Sequence, residues 1–248
     1  SNLLCQRGSS TLIGRLVAMR FENYISNATD ISRSEVKRMI KNVIADIDDE
    51  VTTNPAIKVS PGQKVSLDGS IISASKHRYF MLNKPAGVVS VTKDNNHPTA
   101  ISLIYEHRSE ELQIAGRLDI DTTGLLLVTD DGKWNHRVTS PRSKCSKLYA
   151  VTLAEPVGAD YAEQLANGVL LDGEKHRCMP AIMEQLDSHS LTLAIGEGKY
   201  HQVKRMFAAL GNHVVKLHRF QVGDIILDDD LAEGDYRALS DTEVACIL

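Results

Sequence analysis

Three features of the 248-residue sequence predict an α+β fold, with a mixed and mainly antiparallel sheet preceded by a small N-terminal α/β module. Runs with β-like character outnumber helical patterns, and they lack the regular strand–helix alternation of a doubly wound parallel sheet. A helical hairpin followed by short strands fills residues 19–75. SASKHR, residues 73–78, then reads as a linker. With 42% hydrophobic and 24% charged residues, the composition is that of a folded chain long enough for two modest domains. The expected organisation is an extension or added residues at 1–18, a first domain at 19–75 and a second at 76–248. The first segment begins Ser-Asn and carries Arg7, Arg15, several serines and no acid, a composition shared with organellar transit peptides, and it enters no fold argument.

The elements follow in chain order. MRFENYISNATDISRSEVKRMIKN, 19–42, holds two short helical patterns around a turn. Ser32 and Glu35 have capping-box spacing at the start of the second, and Val36, Met39 and Ile40 form its apolar stripe. Arg33, Lys37 and Lys41 recur every four residues with Arg38 beside them, so one side of this helix presents cations that phosphates could bind; a solvated face has the same pattern. VIADIDDEV, 43–51, carries an acidic run that obscures any strand pattern, and AIKVSPGQKVSLDGSII, 56–72, gives short strands with turns at Pro61-Gly62 and Asp68-Gly69. RYFMLNKPAGVVSV, 78–91, reads as strand, turn and second strand. Further strands are expected at 124–129, 147–153, 190–195 and 213–227, the last interrupted at Gly223. Helices are expected at 159–167 and 200–210.

Charge is unevenly placed although the formal net charge is only -4. Lys133, Arg137, Arg142, Lys144 and Lys147 fall within 132–150 without an acid, and Lys199, Lys204, Arg205, Lys216 and Arg219 fall likewise within 198–220. Residues 224–243 hold eight acids against Arg237 alone. Such segregation can build a basic cleft on an acidic body and steer a polyanion to one face. The four cysteines, Cys5, Cys145, Cys178 and Cys246, form no C-x-x-C pair, so neither a zinc ribbon nor a disulfide scaffold is indicated, and reduced cytoplasmic thiols are expected. No apolar run reaches the length of a membrane span.

DIDTTGLLLVTD, 119–130, admits two chemistries. Asp119, Asp121, Gly124, Leu126 and Asp130 fall close to the positions of a calcium loop. Its flanks, LQIAGRL before and LLLVT within, are β-like where an EF-hand needs helices, and its last position is Asp where a bidentate Glu is usual. The other reading gives one of the carboxylates covalent or charge-stabilising work.

Four segments decide between these readings: NKPAGVV at 83–89, GRLDIDTTGLLLVTDDG at 116–132, KLYAV at 147–151 and EGKYHQVKRMF at 197–207. Their order and intervals resemble the pseudouridine synthases that modify ribosomal RNA, over residues 78–238. Residues 19–75 resemble the S4 RNA-binding domain. The resemblance implies Asp119 as nucleophile, with Asp121 not catalytic. It implies Tyr149, two after Lys147, as the ring that stacks on the target uracil and assists proton removal from its C5, and Lys204 as the cation paired with the aspartate. Arginine is common at that last place, and lysine gives up its bidentate geometry. Arg117 is expected near the position vacated by a flipped nucleotide, and Asn83 and Lys84 at the rim. Together with Arg33, Lys37, Arg38, Lys41, Lys147 and Arg205 they complete the expected RNA-binding set.

The implied activity is cofactor-free, metal-free conversion of one uridine of small-subunit ribosomal RNA to pseudouridine. Large-subunit enzymes of the same branch tend to read N-R-Q-V-R-R where this chain has YHQVKR. A synthase for large-subunit RNA and a catalytically silent RNA-binding assembly factor are the alternatives. The partner expected is structured ribosomal RNA, naked or in a partly assembled small-subunit particle, met by a monomer in the cytoplasm away from membranes. The chemistry is compatible with these residues: exchanging an N-glycosidic for a C-glycosidic bond involves neither redox change nor hydrolysis, so a carboxylate with a cationic partner suffices. The base must first leave its stack and then meet an aromatic surface.

Overall fold

The computed structural model describes residues 18–247 apart from 30, 61, 73–76, 107 and 144, so the expected extension, but for residue 18, and most of the expected linker lie outside the described residues. The chain divides into two compact units between residues 76 and 77.

The first unit runs β1 (Met19–Arg20), α1 (Phe21–Ala28), α2 (Arg33–Lys41), β2 (Ala45–Ile47), β3 (Glu50–Val51), β4 (Lys58–Val59), β5 (Val65–Leu67) and β6 (Ser70–Ile72). β1 pairs with β4, and a separate sheet has the order β3-β2-β5-β6. Phe21, Ile25, Val36 and Ile40 from the two helices close over Ala45, Ile47, Val59, Val65 and Leu67, giving this unit its own core. Ser32 caps α2 by accepting from the Glu35 N–H at 3.3 Å, while the Glu35 carboxylate turns to Arg38. The acidic run is a hairpin: Asp48 and Asp49 both adopt the left-handed conformation, φ 54° and 65°, between β2 and β3. Asp enters that region more readily than most residues, and a two-residue turn of this kind matches the twist of the strands it joins.

The second unit continues with β7 (Tyr79–Lys84), β8 (Gln113–Ala115), β9 (Thr123–Thr129), α3 (Gly132–Thr139), β10 (Lys147–Leu153), α4 (Tyr161–Ala166), β11 (Ile182–Gln185), β12 (Ser190–Ile195), α5 (Gln202–Ala209), β13 (Val214–Val222), β14 (Ile225–Ile226), β15 (Tyr236–Ala238) and α6 (Asp241–Ala245). They build one sheet in the order β11-β12-β10-β13-β9-β7-β15, with β14 on β13 and β8 on β9. β13 and β9 run parallel, and every other strand pairing among the described residues is antiparallel. The mixed, mainly antiparallel α+β architecture is the one the sequence predicts.

β9 is apolar throughout because both its faces are covered. Leu125 and Leu127 pack with Trp134 and Val138 of α3, while Leu126 faces the opposite side, in the cluster that contains Val203, Met206 and Phe207 of α5. Each of these fully buried large side chains contributes about 1.5–3 kcal/mol. β10 alternates instead, sending Tyr149, Val151 and Leu153 inward toward Leu191 and Leu193 of β12. Two expectations need correction. The second strand after Pro85 is absent: residues 88–91 contribute a single bridge, Val89 to Thr99, because Ser90 and Gly87 are committed to the neighbouring loop. α3 was not anticipated, since its apolar stripe is only Trp134 and Val138; the Asp131 carboxylate caps it by accepting from the N–H groups of Lys133 and Trp134 at 2.9 and 3.1 Å. Among the described residues no helix is long and apolar enough to cross a membrane.

Candidate active site

The loop from Gly116 to Thr122 joins β8 to β9, and the parallel neighbour β13 anchors both its ends. Arg219 is almost wholly buried on β13; its Nη2 donates to the Gly116 carbonyl and its Nε to the Leu125 carbonyl, each at 2.8 Å. Gly124 lets this happen: at φ 105°, a Cβ there would lie 2.2 Å from the Arg219 carbonyl oxygen. Next to it, Thr123 Oγ1 and His218 Nδ1 are hydrogen-bonded at 2.8 Å. Inside the loop, Ser90 Oγ donates to the Leu118 carbonyl at 2.7 Å and accepts from the Leu118 N–H at 3.0 Å. The Ile120 carbonyl accepts from the Gly87 N–H at 2.7 Å and from Lys84 Nζ at 3.3 Å. Both chain neighbours of Asp119 are therefore clamped, which confines its carboxylate to one region of space.

That carboxylate sits in a cluster of charge. Lys204 Nζ lies 3.2 Å from Asp119 Oδ2 and 2.6 Å from Asp121 Oδ1, and His201 Nε2 lies 3.4 Å from Asp119 Oδ1. Exposure separates the two acids: the Asp119 side chain retains 24% of its accessible surface and that of Asp121 67%. Burial disfavours the Lys204 ammonium, but its hydrogen bonds to Asp121 and Asp119 outweigh burial and raise its pKa above the ordinary lysine value. The same bond from Lys204 lowers that of Asp121 against a smaller opposing effect of burial. The arrangement keeps a cation beside a recessed carboxylate, as chemistry in a partly water-excluded site requires. Tyr149 is 8% exposed and shares a hydrophobic cluster with Leu118 and Val203, the chain neighbours of Asp119 and Lys204.

Several expected RNA contacts have other partners. Lys84 is fully buried and donates to the carbonyls of Pro85 and Val88, both at 2.8 Å, as well as to Ile120. Burial pushes its pKa down to about 8, with Asp121 and Asp119 opposing. Asn83 is buried and donates from Nδ2 to the Leu231 carbonyl at 2.8 Å. Lys147 is 5% exposed, with Nζ donating to the Cys145 carbonyl at 2.9 Å. These three are corrected from RNA ligands to internal clamps, because their polar groups already satisfy backbone carbonyls away from solvent. Arg205 is engaged too: its guanidinium donates to the Asp172 carbonyl at 2.8 Å, to the Tyr200 carbonyl at 3.1 Å and to Glu174 at 3.3 Å. Arg117 is exposed within the loop, and Arg33, Lys37, Arg38 and Lys41 are exposed on α2 of the first unit.

The calcium geometry fails on distance. β9 separates the ends of the 119–130 segment by about 20 Å at a rise of about 3.3 Å per residue. Asp130, at the far end, accepts from the Arg78 N–H and Nε at 2.9 and 2.8 Å, with His77 Nδ1 at 3.2 Å. Among the described residues no group of three or more His, Cys, Asp and Glu side chains is placed to hold a metal ion.

Sequence reasoning singled out neither His201 nor Ser90, and it read Arg219 as part of a surface block. One signal was available: Arg219 occupies the inward parity of its strand, two after buried Leu217, where a cation must have internal partners. Nothing in the sequence marks Ser90.

A family model for RNA pseudouridylate synthase matches residues 78–209. The chain is 49% identical over 232 residues to ribosomal small subunit pseudouridine synthase A of Escherichia coli strain K12, covering 93% of this chain and 100% of that relative. It is 49% identical to the protein of the same name from Yersinia pestis, over 92% of this chain and 98% of the relative. A crystal structure of a pseudouridylate synthase superposes with a TM-score of 0.68 at 42% identity, covering 93% of this chain and 100% of that one. With these matches and an aspartate–lysine pair built on the family's segments, the chain belongs to the RNA pseudouridylate synthase family. It is a pseudouridine synthase, an isomerase acting on RNA.

Proposed function

We propose that this protein converts a specific uridine of small-subunit ribosomal RNA to pseudouridine, with Asp119 as nucleophile, Lys204 as its charge partner and Tyr149 as the stacking ring. The observation that carries this reading is the clamped, recessed Asp119 carboxylate with Lys204 Nζ at 3.2 Å. Two routes are open to a carboxylate: attack at ribose C1′, and removal of the 2′ proton ahead of base departure. Both are served by a cation held beside the carboxylate, and Lys204 supplies it. The uracil, once detached, must turn so that its C5 faces C1′. A ring at the floor of the site holds it by its face while it turns, and Tyr149 is suited to that by its place beside Leu118 and Val203. Small-subunit RNA is favoured over large-subunit RNA by the names of the relatives matched over nearly their whole length.

In the same reading the first unit is an S4-like module, residues 19–75, whose exposed Arg33, Lys37, Arg38 and Lys41 bind phosphates of structured RNA. Arg117 contacts the RNA near the flipped nucleotide, and Arg205 braces the loop that meets it. The proposed setting is the cytoplasm, with the protein acting as a monomer on ribosomal RNA or a partly assembled small-subunit particle; the free thiols of Cys145, Cys178 and Cys246 fit a reducing compartment. The test is to map pseudouridines in ribosomal RNA from cells with and without the protein, and to repeat the conversion with purified protein on small-subunit RNA. Loss of one small-subunit site, restored by wild type and not by Asp119→Asn, is expected. An unchanged small-subunit map with a lost large-subunit site would move the substrate.

A further inference from the structure

At the mouth of the site two rings are stacked in line with the nucleophile. The Tyr200 and His201 ring centroids are 3.8 Å apart with the planes inclined by 18°, and His201 Nε2 in turn lies 3.4 Å from Asp119 Oδ1. His201 reaches this position from a left-handed backbone conformation, φ 47°, a region that His enters more readily than most residues. Tyr200 remains 76% exposed, so an aromatic ring stands in water one ring removed from a recessed carboxylate.

The segment carrying the stack is braced from below. Buried Gln202 accepts from the Lys199 N–H at 2.8 Å and donates to Glu197 at 2.9 Å. Arg205 donates to the Tyr200 carbonyl at 3.1 Å and also holds Glu174, which pairs with Lys199 at 3.5 Å. A ring whose backbone is already held loses little freedom when a ligand settles on it. An enzyme that draws a uridine out of structured RNA unstacks that base from its neighbours, and a neighbour left with a bare face gains from a replacement π-surface.

We propose that Tyr200, backed by His201, is a stacking platform for the nucleobase adjacent to the flipped uridine, so that it reads the unstacked strand beside the target. This rests on the reading of the site as one that isomerises a uridine in small-subunit ribosomal RNA. The ligand class is an unpaired nucleobase, and the contact is a face-on stack tolerant of base identity.

The test uses the full-length protein and transcribed small-subunit ribosomal RNA in which the converted uridine is first located. Fragments are then made with an abasic residue immediately 5′ or 3′ of it, and affinity and single-turnover conversion are measured. Tyr200→Leu should weaken binding of the intact fragment by about tenfold or more, the range of one base–aromatic stack. Tyr200→Phe and Tyr200→Trp should stay near wild type. One of the two abasic fragments should weaken wild-type binding to a similar degree, and Tyr200→Leu should add no further loss on it. Wild-type behaviour of Tyr200→Leu on the intact fragment, or fully additive losses on both abasic fragments, overturns the platform. If wild type converts no uridine of this RNA, the substrate reading falls and the platform with it; if it converts one and Tyr200→Leu is indistinguishable from it, the platform alone falls.

Discussion

Asp119 and Asp121 are the same residue type two positions apart, with exposures of 24% and 67%, and the proposed function gives them different work. Asp119→Asn is nearly isosteric and should leave RNA affinity within about twofold while single-turnover conversion falls to background, because an amide presents no negative charge to the glycosidic step. Asp121→Asn should keep most of its activity, since it only releases Lys204 from a shared bond. Abolished turnover in folded Asp121→Asn would reverse the two assignments. The basic pair on α5 gives a second contrast. Lys204→Met should remove most conversion at pH 7 and Lys204→Arg should retain part of it, whereas Arg205→Met should mainly raise the RNA concentration required, by loosening the Tyr200 carbonyl and freeing Glu174. The kinetics of the three variants, side by side, check this. Both acids and both cations stood out in the sequence because a short motif holds them. Lys84, Asn83 and Lys147 were misread there: a polar residue in a strand looks alike whether it meets solvent or a buried carbonyl.

Elements that bury one continuous face or both faces were legible. β9, β10 and β12 were expected at 124–129, 147–153 and 190–195 and form at Thr123–Thr129, Lys147–Leu153 and Ser190–Ile195. Elements held by one capping group or one side chain were not: α3 depends on Asp131, and the chain after Pro85 is drawn from strand to loop by Ser90 and Gly87. The packing of β9 on β13 supplies a prediction at this scale. Gly124→Ala would force a methyl group into the Arg219 carbonyl at a φ that L-residues avoid, so it should lower unfolding free energy by about 2 kcal/mol or more and slow conversion by displacing the Asp119 loop. Gly132→Ala, in the first turn of α3 with nothing within 4 Å of the added atom, is the control and should be neutral or slightly stabilising. Urea midpoints of the two variants decide it.

The molecule as a whole has separate cores in its two units, so surface changes on α2 should leave the second unit folded. Replacing Arg33, Lys37 and Arg38 together with alanine in the full-length protein should flatten log affinity against log salt by about 0.7 to 0.9 for each phosphate no longer neutralised. An unchanged slope would make the stripe solvated surface. Acid stability depends on Asp130, whose carboxyl burial pushes up but hydrogen bonds from His77 and Arg78 bring down to about 2. A carboxyl with a folded value below its unfolded one stabilises the fold above the unfolded value, and that contribution is lost as pH falls. The window runs from about 4 to about 2, with a magnitude on the order of 1–2 kcal/mol. Asp130→Asn should therefore be less stable at pH 7 and should show a smaller drop across that window, as urea melts at several pH values would show.

The sequence by itself determined the α+β class, most of the strands and the two segments that carry Asp119 and Lys204, because periodicity and short-range motifs are written along the chain. Only the tertiary structure decided which of the charged residues are free. Pairing β13 parallel to β9 carries Arg219 under the loop, while Lys84 and Ser90 clamp the residues on either side of Asp119. Packing α5 against the sheet brings Lys204 and His201 onto its carboxylate from more than 80 residues away. Those partners are set by where strands and helices cross in space. Local spacing carries no record of that crossing, since the buried carbonyls that recruit a lysine or arginine belong to the backbone and have no signature in side-chain identity.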